Sequence, residues 1–209
     1  LFRSFESNSP ATPIFHTFFF ISLGSVIFPQ FLYLVPLFWI SMIPFRSISG
    51  KSLVASILGI LTPYWFLFGY AFYSNELTLF WTPLEEAIHF YPIHYGALTL
   101  PEILSWGVIT LLLIVSGGHY VSVSYLDKTR TRIFHSFLTI AGLWITICMA
   151  LQPVHLHILM PIQLICTAFL SGHLFTLTRN RFSGILFIVT FVVFILLMSF
   201  NLWMQFFNS

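Results

Sequence analysis

An all-α, polytopic bundle of about seven membrane segments is the fold this sequence predicts. Three observations carry the prediction. First, 58% of the 209 residues are hydrophobic and only 7% are charged, with a mean hydropathy of +0.94. A soluble domain is about one quarter charged, so this chain lacks the charge to cover a water-facing surface. Second, its apolar residues fall in runs close to the roughly 20 residues a helix needs to cross about 30 Å of hydrocarbon. Third, all eight Lys and Arg fall on one side when those runs are drawn as spans, as the loop-charge bias of membrane proteins demands.

The first uncharged stretch runs from Pro13 to Pro44, too long for one span and short for two. An internal proline removes a helix hydrogen bond and clashes with the preceding turn. Pro29 therefore divides the stretch into two short helices, about 14–28 and 30–45, folded as a hairpin, the alternative being one long kinked helix. A basic turn from Arg46 to Lys51 follows, then a span over 52–73. Pro63 lies inside that span, where neighbouring helices can satisfy the carbonyl it frees.

Residues 74–101 form the one long loop. Pro83 suits a first helical turn, acids suit the positive end of a helix, and Pro92 suits a stop. These signals predict a short interfacial helix over 80–95, opening at Pro83 with Glu85 and Glu86 in its first turn. Trp81, Ile88 and Tyr91 would face lipid or protein. Further spans are predicted at 102–123, 133–151, 158–178 and 184–206. The charged turn 125–132 (YLDKTRTR) and the pair Arg179 and Arg181 separate them on the basic side.

With Arg3 in the cytoplasm, turns 46–51, 125–132 and 179–181 are cytoplasmic, while 74–101 and the C-terminal Ser209 are periplasmic. The expectation is a single helical domain over 1–209 in a bacterial inner membrane, with room for further membrane segments upstream of Leu1. The net charge of +2 reflects these anchoring residues rather than a nucleic-acid surface. Cys148 and Cys166 both lie in apolar runs, where cysteine behaves as a small hydrophobe.

Ionisable groups within a bilayer are functional suspects by default, and here they are histidines. His119 and His173 fall at similar depth in two spans running the same way. Such a pair can ligate a b-type haem or hydrogen-bond across helices. No second matched pair exists, so neither a cofactor nor a metal is assigned. On the outer side, His89, His94, His155 and His157 match no compact metal-ligand spacing. In the long loop, Glu85, Glu86 and His89 are the candidate substrate or partner contacts, because His89 lies four residues beyond Glu85. The DKTRTR turn reads as anchoring or as a site for lipid phosphates. No nucleotide loop and no nucleophile elbow is present, and no catalytic residue is assigned.

The FRS turn at 45–47, the GILTPYW segment at 59–65, the FWTPLEEAIHFYPI loop and the DKTRTR turn resemble a family of uncharacterised multi-pass inner-membrane proteins of the Bacteroidota. That resemblance covers most of the chain and implies a location, not an activity. A looser likeness is to multi-pass lipid-linked-sugar glycosyltransferases, whose catalytic acids lie in an early outer loop. The turn at Pro29 has no acidic pair, so no catalytic residue transfers. The functional expectation is a non-enzymatic subunit or scaffold of a larger envelope complex, with membrane lipids and other membrane or envelope proteins as partners. The alternatives are an enzyme acting on a lipid-linked substrate with its acids upstream, or a transporter.

The topology has a direct check. In a background lacking Cys148 and Cys166, Ser74→Cys should react with a membrane-impermeant maleimide on intact spheroplasts. Thr129→Cys should react only after permeabilisation, and its labelling from outside would contradict the orientation.

Overall fold

The computed structural model describes residues 2–4, 9–177 and 181–207. Among them there are eight α-helices, short 3-10 turns and no strand. The helices are α1 (Ala11–Ile27), α2 (Leu34–Ser41), α3 (Gly50–Tyr73), α4 (Thr78–Ile88), α5 (Leu100–Val123), α6 (Thr129–Leu151), α7 (Leu156–Leu177) and α8 (Arg181–Phe207). Five stretches are long and apolar enough to cross a membrane: α3, α5, α6, α7 with its preceding 3-10 turn, and α8. The segments Ala11–Ile27 and Pro29–Ser41 are apolar but shorter. The chain is a multi-pass membrane protein of all-α class. The expected turn at Arg179 and the terminal Ser209 lie outside the described residues. Packing divides the chain into two units, Leu1–Tyr91 and Pro92–Ser209, with the boundary inside the long loop.

In the first unit the chain breaks where Pro29 predicts. Phe28 is extended (φ −125°, ψ 90°), and the chain re-enters as a 3-10 turn over Pro29–Tyr33 before α2 begins. The second segment is thus 3-10 first and α-helical for only eight residues. It folds back on α1 around a core of Ile14, Phe18, Ile21, Val35 and Met42. A left-handed residue, Arg46 (φ 50°), ends this return, with Ser47 N–H donating to the Met42 carbonyl. That is the usual way to close a helix C-terminus.

Helix α3 then runs parallel to α1. The Ser22 hydroxyl donates to the Ile60 carbonyl at 2.6 Å, and the Ser25 and Tyr64 hydroxyls meet at 2.9 Å. Gly59 is what permits this approach. A Cβ there would stand 2.7 Å from the Phe15 carbonyl oxygen and 3.1 Å from Phe18 Cβ. The helix continues through Pro63, and the Thr62 hydroxyl donates to the Leu58 carbonyl next to the bond Pro63 cannot make.

Helix α4 corrects the sequence reading. It starts at Thr78, five residues before Pro83, which lies inside the helix. Glu85 and Glu86 therefore sit in its last turns rather than its first, and the dipole argument for them fails. Packing explains the earlier start: the Phe80 ring meets Phe68 of α3 edge-on at 5.4 Å. The helix ends at Ile88, short of the expected 95.

The second unit is built on α5, α6 and α7. Gly117 lies against Thr139 and Gly142 against Leu113, so α5 and α6 are antiparallel. Gln163 of α7 donates to Thr110 of α5 at 3.0 Å and to Thr146 of α6 at 2.8 Å. One amide thus bridges three helices, with α7 parallel to α5. A capping box at Thr99 and Glu102 opens α5, and the Tyr95 hydroxyl ties the preceding loop to the Ala150 carbonyl of α6.

Gly59→Ala should destabilise the protein by about 1–3 kcal/mol, because the added methyl meets backbone rather than a yielding side chain. Gly69→Ala, with open space around it, should be neutral or stabilising by about 0.5–1 kcal/mol. Thermal unfolding of both variants in detergent checks the contrast.

Candidate functional site

Where α5 and α7 end and α6 begins, five side chains converge. Tyr120 and His119 come from the last turns of α5. Asp127 comes from the turn, His135 from the second turn of α6, and His173 from α7. Asp127 is the only acid in the 125–132 turn. It does not cap α6, whose start has no side-chain cap. Its carboxylate instead accepts from His173 Nε2 at 3.0 Å, with side chains only 11% and 7% exposed.

The geometry assigns most of the ring nitrogens. Because a carboxylate accepts, His173 Nε2 carries a proton and Nδ1 holds the lone pair. That Nδ1 is buried and has no partner. His135 Nδ1 lies 2.9 Å from the Thr131 carbonyl, so it donates and leaves its Nε2 as the basic atom. The His135 and His173 rings are 4.2 Å apart between centroids, tilted by 47°. Tyr120 completes the wall, stacked on His135 at 5.7 Å and edge-on to His173 at 5.9 Å. Its hydroxyl donates to the Arg132 carbonyl at 2.6 Å. His119 lies within electrostatic reach of His173, and its Nδ1 is likewise buried without a partner.

The arrangement sets a carboxylate and a second imidazole against one buried imidazole. A proton on that imidazole would have the carboxylate to offset its charge. Two cations at about 4 Å would repel by roughly 4 kcal/mol at an effective dielectric of about 20, so the pair favours one proton over two. Among the described residues, no three of His, Cys, Asp and Glu converge to hold a metal ion. Lys128, Arg130 and Arg132 rim the site on exposed positions.

The expected contacts of the long loop lie at the C-terminal end of α4. Glu85 and His89 are exposed, while Glu86 is half-buried with Gln30 Nε2 at 3.5 Å. The His89 N–H closes the last turn on the Glu85 carbonyl at 2.9 Å. His89 caps the end of α4 in extended conformation, with its ring on Tyr91 at 4.8 Å. His119 and His173, paired at the sequence level by depth, do share one site. However, the ring in contact with His173 is His135, and His173 Nε2 is engaged by Asp127. On the far side of this unit, His157 pairs with Glu102 at 2.9 Å, with His157 73% exposed.

Sequence reasoning missed Asp127, His135 and Tyr120. Asp127 had a signal: a lone acid in a basic turn needs a reason. His135 had a weaker one, standing a few residues inside a span. Comparison with protein-family models, curated proteins and solved structures gives no match, so the geometry of this site is the basis for its reading.

Proposed function

We propose that this chain is an integral inner-membrane subunit of a larger envelope assembly, and that its second unit contains a proton-binding switch. The observation that carries this reading is the buried His173–Asp127 hydrogen bond with a second imidazole in ring contact. Charged groups within a bilayer are costly and concentrate in proton relays and coupling sites. Histidine is also the side chain that changes charge near neutral pH.

The coupling is mechanical. Asp127 belongs to the turn between α5 and α6, and His173 belongs to α7. Their bond therefore ties the basic turn to a third helix. With one proton on the imidazoles, Asp127 faces a cation and the tie tightens. With both imidazoles protonated, their mutual repulsion opposes the packing of α6 against α7. The position of Lys128, Arg130 and Arg132 thus follows the protonation state, and these cations would present it to lipid phosphates or an acidic partner. No bond-making step is required. The subunit reading is supported by broad exposed apolar faces, including Trp65, Phe66 and Phe72 on α3 and Phe187, Phe191 and Leu196 on α8, which suit lipid or neighbouring membrane helices.

A nitroxide attached at Thr129→Cys in reconstituted vesicles tests the switch. Its spectrum should change between about pH 8 and pH 5, the window in which histidine titrates. The change should vanish in His173→Gln and in Asp127→Asn. Identical wild-type spectra at both pH values would sink the proposal.

A further inference from the structure

A cleft of about 800 Å³ lies between α5, α7 and α8, away from the histidine cluster. We propose that it binds a long-chain amphiphile bearing a hydroxyl group where its chain meets its head.

The lining is two-part. Ile109, Leu164, Phe194 and Leu197 supply an apolar wall, and Ser105 and Asn201 stand among them. The volume falls in the range of small-molecule sites, about 300–1,000 Å³, which are mostly apolar with a few placed polar groups. The apolar wall belongs to helices long enough to cross a membrane, so the molecules that reach it from the side carry hydrocarbon chains.

The polar pair sets the head. Asn201 Nδ2 donates to Ser105 Oγ at 3.0 Å, and the other end of the amide, Oδ1, is buried without a partner. An unmet amide atom in a membrane helix costs free energy unless something reaches it. With Nδ2 committed to Ser105, the open atom is an acceptor. A hydroxyl can donate to it. Glu102 also lines the cleft but is already committed. One carboxylate oxygen accepts the Thr99 N–H at 2.8 Å and the other meets His157.

Depth agrees with this assignment. Ser105 is five residues from the start of α5 and Asn201 six from the end of α8. At 1.5 Å per residue both lie roughly 7–9 Å in from the helix ends. That is where an acyl or isoprenoid chain gives way to its head group in a bilayer about 30 Å thick. The chain would follow Ile109, Leu164 and Phe194 toward the middle of the unit.

The test uses the full chain in nanodiscs with two photoactivatable probes, a diazirine-bearing long-chain alcohol and its methyl ether, and peptide mapping of the label. The alcohol should label α5, α7 and α8 residues around the cleft. The ether, which cannot donate, should label them about tenfold less, the ratio for a hydrogen bond worth about 1.4 kcal/mol. Asn201→Leu should lower alcohol labelling to the ether's level. Leu164→Trp, which fills the cleft, should lower both. Leu164→Phe replaces it if the larger variant does not elute like the wild type. Equal labelling by alcohol and ether overturns the hydroxyl site. Labelling spread over exposed faces such as α3, and unchanged by filling the cleft, overturns the site altogether.

Discussion

In hydrocarbon, a polar group that finds no partner within the protein has no water to turn to, and each such group costs several kcal/mol. Helices satisfy the backbone, and the side chains here largely follow the same rule. Thr17, Ser41, Thr62, Ser116, Thr146 and Thr167 each donate to a carbonyl one turn back in their own helix. Gln163 spends both amide protons on hydroxyls of two other helices. Ser22, Ser25 and Tyr64 join α1 to α3 in the same way. The buried side-chain atoms without a hydrogen-bond partner, which include Gln163 Oε1 and Trp106 Nε1, also include ring nitrogens of His119 and His173. These two rings sit together beside the one acid of a basic turn, and a group kept unsatisfied at such cost is a reasonable place to look for function.

The second unit therefore has two chemically different ends joined by a nearly closed polar seam. At one end are Asp127, His135 and His173, the proposed proton-binding cluster. At the other are Glu102 and His157, beside the cleft that Ser105 and Asn201 line. Between them Gln163 locks α5, α6 and α7 at mid-depth. This lock gives movement at the turn a fixed frame to work against.

The spans were legible because hydropathy and length act locally. The boundaries of α3, α5 and α7 fall within two residues of those expected from apolar runs, and the break at Pro29 follows from its missing N–H. Helix α4 was misplaced because the local signals of Pro83, Glu85 and Glu86 all favour a later start. The contact of Phe80 with Phe68, which no local rule contains, outweighs them. The candidate site was half legible. Helix direction and depth brought His119 and His173 together on paper. Asp127 and His135 required the turn geometry and the pairing of α6 with α7, which depend on contacts between residues far apart in the chain. The one-turn spacing of Glu85 and His89 was legible, since the His89 N–H closes on the Glu85 carbonyl at the end of α4.

The central claim is that His173 donates from Nε2 to Asp127 and keeps its lone pair on the buried Nδ1. Nitrogen NMR of the full chain with ¹⁵N-labelled histidine, assigned through His173→Gln and His135→Gln, tests it most directly. The account predicts that neutral His173 carries its proton on Nε2 at alkaline pH. In Asp127→Asn that preference for Nε2 should be lost. A neutral His173 with its proton on Nδ1, or a preference unchanged by Asp127→Asn, would contradict the account.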